Sequence, residues 1–196
     1  METTSLQNIH RNWNSLEPDA VTAGLSVGAR DNFEMYLDEL TKAVSQQKME
    51  DSFLAAISLY DSFGEIAKVL KMPLPSDFFK VKYQTMAALV EASRKDWKLA
   101  ESHANTIDTH WNQLRLQAKS ADPKLMDRTE FSLHDIQQAI KSQSLELVAF
   151  KGEIAMSNLK QLEEALSKPA KSQGQSSGSQ GQQSGGQGQQ SGSQNQ

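Results

Sequence analysis

Residues 96–118, DWKLAESHANTIDTHWNQLRLQA, decide the fold class of this chain. Asp96 is a favourable helix N-cap, and behind it apolar residues recur at alternating steps of three and four. That spacing places them on one face of a helix and predicts the seam of a helical bundle. The seam consists of Trp97, Ala100, Ala104, Ile107, Trp111, Leu114 and Ala118.

The remainder of the chain up to Pro169 has the same helical character. Good helix formers dominate it and runs of β-branched residues are absent, so we expect no strands. We predict an all-α antiparallel bundle of four to five main helices plus a short N-terminal helix, in one domain of residues 1–170. Residues 172–196 contain only Ser, Gln, Gly and Asn. Such a composition cannot offset chain entropy, so 171–196 is predicted to be a disordered tail.

The N-terminal part predicts two helices. A short helix over residues 5–16 is followed by a loop over 17–28. Asp31 then has the features of a helix N-cap, with Glu34 as its capping-box partner. The apolar face of this second helix is Phe33, Tyr36, Leu37, Leu40 and Val44.

A tight turn is expected near residues 46–50. On one continuous helix, Val44 and Phe53 would lie about 180° apart, so the buried face changes sides there. No Gly or Pro marks the turn, and a single bent helix is the alternative. The following face is Phe53, Ala56, Ile57, Tyr60, Phe63, Ala67 and Leu70.

Pro73 and Pro75 end this helix, and Ser76 is expected to cap the next. The apolar face of that next helix is Phe79, Tyr83, Met86 and Val90.

The last part of the chain predicts one long helix. Asp122 followed by Pro123 is a helix start, and Ser132 with Asp135 offers a second capping pair. A helix over 132–167 would be about 54 Å long and would bend near Gly152 or project beyond its neighbours. Its apolar face is Leu133, Ile136, Ile140, Leu147, Phe150, Ile154, Leu159, Leu162 and Leu166.

Two of these helices begin with a similar short motif, here called the echo. Phe53-x-x-Ala56 and Trp97-x-x-Ala100 are 44 residues apart, each at the start of the second helix of a hairpin. Tandem hairpins are typical of tetratricopeptide-type solenoids, but neither copy carries the small and large residue pattern of that repeat.

Charge and composition exclude several classes of partner. The net charge is −4 and both signs alternate along the chain. Without a basic stripe we expect no nucleic-acid partner, and no apolar stretch is long enough to be a transmembrane segment. Cysteine is absent, which excludes disulfides and thiolate sites; this fits both a cytoplasmic and an exported protein and slightly favours export. The first residues lack the features of a signal peptide but are compatible with a mature N-terminus.

The candidate cofactor-binding residues lie on the seam helix. His103 and His110 are seven residues apart, about 10 Å along the axis, which is too far for one metal ion. We therefore expect no metal site and no cofactor. A weaker alternative is haem ligation by one of these histidines with Met35 or Met86. The favoured interpretation is that both rings partly cover the core.

Aromatic residues offer a second set of candidates. They either line a ligand pocket or form ordinary core, and helical spacing favours core. Within the set, Trp97 and Trp111 are the candidates closest to the two histidines. The set is Trp13, Trp97, Trp111, Tyr36, Tyr60 and Tyr83.

These patterns predict a non-catalytic interaction or scaffolding domain with a protein partner. No nucleophile elbow, phosphate loop or Gly-rich dinucleotide turn is present, so enzymatic activity is the least favoured hypothesis. The alternative is a small-ligand binder that holds haem, metal or a lipid-like molecule in the bundle interior. Successive hairpins and a polar tail without cysteine resemble the mature part of small exported or lipid-anchored bacterial helical proteins. That resemblance implies an extracytoplasmic location, with the cytoplasm as the alternative, and leaves the oligomeric state open.

Overall fold

The computed structural model describes residues 2–118 and 121–168, and the predicted tail lies outside them. The described residues form an all-α bundle, as expected, without strands. They contain seven helices, one more than the largest number expected. The helices are α1 (Glu2–Thr22), α2 (Val27–Ser45), α3 (Met49–Val69), α4 (Ser76–Ser93), α5 (Trp97–Gln117), α6 (Pro123–Lys141) and α7 (Leu145–Ser167). None of these helices is both long and apolar enough to cross a membrane.

The first connection is shorter than predicted. Helix α1 continues to Thr22 through Pro18, so the expected loop over 17–28 is wrong for most of its length. The reason is that Ala20 continues the apolar face and is completely buried. Gly24, at φ +102°, ends the helix. Ser26 then caps α2 by accepting a hydrogen bond from the Ala29 amide.

The predicted cap at Asp31 is therefore wrong. Asp31 lies inside α2, where its carboxylate pairs with the Arg30 guanidinium at 2.8 Å. Ser76 is also not a cap, because it is the first residue of α4 and Pro75 occupies the N-cap position. Neither α2 nor α4 is therefore capped by the side chain of the predicted residue.

Three turns of the same geometry organise the chain. Each joins a helix pair through three residues whose middle member has a positive φ: Gln47 at 55°, Lys95 at 63° and Gln143 at 53°. These residues are 48 positions apart. The turn at 46–48 confirms that α2 and α3 are separate helices.

The turn at 142–144 contradicts the single helix predicted over 132–167. Ser144 caps α7 by accepting from the Leu147 amide. Ser132 is not a cap, because it is buried inside α6 and donates to the Thr129 carbonyl. Gly152 does not bend α7, since it is an internal helical residue whose missing side chain leaves room for Leu89.

The turns and the helices that follow them define a repeat with a period of 48 residues, so the 44-residue echo of Phe53 and Trp97 is not its register. The second helix of each pair, and α1 as well, carries a shared pattern of four buried or partly buried apolar residues at steps of four, three and four. The four copies are Ile9, Trp13, Leu16, Ala20; Leu59, Phe63, Ile66, Leu70; Ile107, Trp111, Leu114, Ala118; and Ala155, Leu159, Leu162, Leu166.

The helices enclose two cores. The larger core belongs to a four-helix bundle of α4–α7, in which α4 packs against both α5 and α7 and so closes the ring. The predicted seam of α5 is confirmed, with Trp97 half-buried at its start. The smaller core belongs to an N-terminal unit of α1–α3. Helix α4 joins the two, because Phe78 lies in the bundle core while Phe79 packs against Gly64 of α3.

Some predicted core residues are exposed instead. Phe53 on α3 is 57% exposed to solvent, and Leu147, Phe150 and Ile154 of α7 are also exposed. The break at 142–144 shifts the phase of the buried face. As a result, Val148, Gly152 and Ala155 face the core in place of the three larger residues.

Candidate functional site

An apolar groove runs along the N-terminal unit between α1 and α3, with α2 as its floor. It consists of two adjoining cavities of about 350 Å³ and about 390 Å³ that share Leu40 and Ala56. Its polar lining groups are few, chiefly Asn12, Gln47 and Ser52. The apolar lining residues are Ile9, Trp13, Leu16, Phe33, Leu40, Val44, Met49, Phe53, Ala56, Leu59, Tyr60 and Phe63.

The wall formed by α1 is positioned by few contacts. The Trp13 ring lies 4.4 Å from the Phe33 ring, and Trp13 Nε1 donates to Glu34 Oε1 at 3.3 Å. One turn earlier, His10 Nε2 is 2.8 Å from Thr41 Oγ1. Helix α1 packs less closely against α2 than the other neighbouring helices pack against one another, so this wall is lightly held.

The opposite wall holds a buried polar atom without a partner. The Tyr60 hydroxyl is buried and makes no hydrogen bond, although the Tyr60 ring packs against Phe79 and lies 4.8 Å from Lys82 Nζ. Burial, and then the charge of Glu163, raise the pKa of Tyr60 above its ordinary value. An unpaired buried hydroxyl costs free energy in the folded state.

The predicted histidines lie elsewhere, on the contact between α4 and α5. His103 Nδ1 is 2.8 Å from Gln84 Oε1, and its ring meets Tyr83 edge-on. Burial lowers the pKa of His103 below its ordinary value. His110 Nδ1 is 3.2 Å from Asp77 Oδ1. Each histidine thus uses one ring nitrogen to tie α5 to α4.

The tryptophans predicted beside them belong to the bundle. Trp97 is partly buried against its core, and Trp111 is buried with an unpartnered ring nitrogen. Among residues 2–118 and 121–168, no group of three or more His, Asp or Glu is arranged to hold a metal ion. The structure brings none of the four predicted site residues to the groove.

Sequence reasoning named Trp13 and Tyr60 within the aromatic set, with ordinary core as the favoured interpretation. Most of the other apolar lining residues were placed on predicted helix faces, but Met49 and Leu59 were not. A signal for the groove was present in the side chains of Met49 and Phe53, which are large, apolar and adjacent to a polar turn. Helical periodicity alone does not separate such residues from core.

Comparison of the chain with protein families, with curated proteins and with solved structures finds no match.

Proposed function

We propose that this chain is a non-catalytic interaction domain that binds an amphipathic helix of a protein partner in the groove between α1 and α3. The observation that carries the proposal is the groove itself, an elongated apolar surface bounded by three helices. Helix-in-groove recognition uses such a surface, with anchors spaced at one helical turn.

The groove is long enough for several turns of a helix. Its lining on α3 runs from Phe63 at one end to Met49 at the other, which is about 21 Å at 1.5 Å per residue. The internal repeat supports the same interpretation. In the bundle, the face of α6 between α5 and α7 is covered by α4, which closes the ring. Helix α4 does not pack in the same way against the related face of α2, where the two cavities lie between α1 and α3.

Affinity capture with matched variants tests this proposal. The immobilised chain is exposed to extracts of its own host, and retained proteins are identified by mass spectrometry. Phe53→Asp places a charge at the groove and Ala56→Arg fills the groove from its α3 wall, whereas Leu116→Asp changes a similarly exposed residue on α5. We expect the partner to be retained by the wild type and by Leu116→Asp, and lost by both groove variants.

Retention of the same proteins by all four forms would show that the groove is not the binding surface. Circular dichroism of each variant checks that the helices persist. Phe53→Asp is the safer of the two groove variants, because Phe53 is mostly exposed.

A lipid-like ligand is the second candidate for the same groove. Trp13, Tyr60 and Phe63 line a cavity of about 350 Å³, within the usual size range of small-molecule sites. Native mass spectrometry of protein purified from its host distinguishes this candidate, since a retained ligand adds its mass to the chain and Ala56→Arg removes it. Unliganded wild-type protein under these conditions speaks against it.

The location outside the cytoplasm remains part of the proposal. Fractionation of the host with an antibody against this chain tests it directly. Recovery in the cytoplasmic fraction would contradict it.

A further inference from the structure

The outer surface of α6 and α7 carries a second exposed apolar region, here named the α7 patch. It consists of Phe131, Leu147, Phe150 and Ile154, which are 71, 44, 70 and 57% exposed to solvent. It is formed by the four-helix bundle and is therefore distinct from the groove of α1–α3.

The three α7 residues form one stripe. They stand at steps of three and four, so they lie along the same side of the helix. The register of α6 against α7 is set by two contacts, Lys151 Nζ to Asp135 Oδ1 at 3.1 Å and Arg128 Nη2 to Gln161 Oε1 at 2.7 Å. This register places Phe131 within about one helical turn of Ile154. The four side chains are thus close enough to form one patch.

The size of the patch matches the apolar part of a protein interface. With about 150–250 Å² for each fully exposed aromatic ring, the four side chains leave roughly 400–500 Å² of apolar surface uncovered. A standard interface covers about 800 Å² on each partner, of which somewhat more than half is apolar. The patch supplies this amount without any further residue.

The order of residues in the stripe is self-complementary. When two α7 helices cross antiparallel at Phe150, Leu147 of one copy lies opposite Ile154 of the other, and the reverse contact follows by symmetry. This is the property that a two-fold interface requires.

Antiparallel helices also align their dipoles favourably.

We propose that two copies of this chain form a closed dimer through antiparallel α7 helices, with Phe150 at the two-fold axis. The dimer leaves the groove of α1–α3 free in each copy. It therefore presents two grooves, and the partner binding proposed above does not depend on it.

Sedimentation of the full chain over a range of concentrations tests the dimer. We expect the wild type to convert from monomer to dimer and to form nothing larger. Phe150→Asp and Ile154→Asp are each expected to weaken the dimer at least tenfold, whereas Leu116→Asp leaves it unchanged. All three residues are exposed in the single chain, so the variants are expected to fold, which circular dichroism checks.

Cross-linking tests the symmetry directly, because the chain contains no cysteine. Phe150→Cys is expected to form a disulfide between two copies under oxidation, and Leu116→Cys is not. A mixture of Leu147→Cys and Ile154→Cys chains is expected to cross-link faster than either chain alone.

Three results would overturn the proposal. They are a wild type that stays monomeric at all concentrations, a dimer that survives Phe150→Asp, and species that keep growing beyond the dimer. The last would show that the patch contacts a different surface of the next copy.

Discussion

The four-helix bundle and the N-terminal unit are built from related helices, yet the apolar faces of these helices are buried to different extents. The bundle closes on itself, and Ile107, Leu114 and Leu159 at its centre have no exposed surface. In the N-terminal unit the related positions Ile9, Leu16 and Phe63 are only partly buried. The difference shows that the same apolar pattern makes a closed core when a fourth helix covers it, and a smaller core beside a groove when none does.

Alanine substitution of the two tryptophans at matching positions is expected to give the largest difference in stability between the two regions. Trp111→Ala removes a fully enclosed ring and is expected to lower the free energy of unfolding by about 3–5 kcal/mol. Trp13→Ala is expected to cost less, about 1–2 kcal/mol, because α1 detaches locally while the bundle stays folded. Urea denaturation followed by circular dichroism measures both. Equal losses would mean that α1 is part of the same cooperative core.

Among residues 2–118 and 121–168, the fully buried polar side chains lie in α4–α7, and we expect their loss to destabilise the bundle. Gln137 Nε2 donates to the Ala104 carbonyl at 3.0 Å and to Asp108 Oδ1 at 2.8 Å, which ties α6 to α5. Gln137→Ala is expected to destabilise the chain by about 1–3 kcal/mol. Its exposed neighbour Gln138 is the matched control, and Gln138→Ala is expected to change stability by less than about 0.5 kcal/mol. Similar values for the two variants would contradict this assignment.

The three turns that are spaced 48 residues apart occur in both regions. We therefore expect glycine substitution to change stability in the same direction at each turn. A non-glycine residue at positive φ is strained, and Gln47→Gly, Lys95→Gly and Gln143→Gly are each expected to stabilise the chain by about 0.5–1 kcal/mol. Gln46→Gly, at φ −88°, is expected to destabilise it. Melting temperatures of the four variants are the measurement. A loss of stability at any of the three turns would show that the left-handed geometry is absent there.

Acid should weaken the bundle through His103. Burial lowers the pKa of His103 in the folded state, so below the ordinary histidine pKa the unfolded chain binds more protons than the folded one. Stability is therefore expected to fall as pH drops through about 6.5. His103→Gln should reduce that part of the pH dependence, whereas His134→Gln, on the exposed face of α6, should not. Identical pH profiles for all three proteins would exclude the effect.

The sequence predicts the fold class because the α5 seam is long and regular. It misses the break at 142–144 because Ile140 and Leu147 are seven residues apart and so keep the same phase on one continuous helix. The left-handed position is held by Gln143, and no Gly or Pro marks it. The polar run Ser142-Gln143-Ser144 was the only local signal.

The candidate site was harder to predict for a related reason. Whether an apolar helix face is buried depends on which helix covers it, and helical spacing does not contain that information. Trp13 and Trp111 have the same spacing to their apolar neighbours, yet one lines a groove and the other a closed core. Phe150 and Ile154 were assigned to the core for a different reason, because the missed break at 142–144 concealed the change of phase.

Hydrogen exchange of the backbone amides tests the central claim most directly. If α1 is a lightly held wall of an open groove, its amides should exchange through local opening, at least 100-fold faster than those of α5 and α7 at matching positions. Amides around Trp13 that are as protected as those around Trp111 would contradict this account.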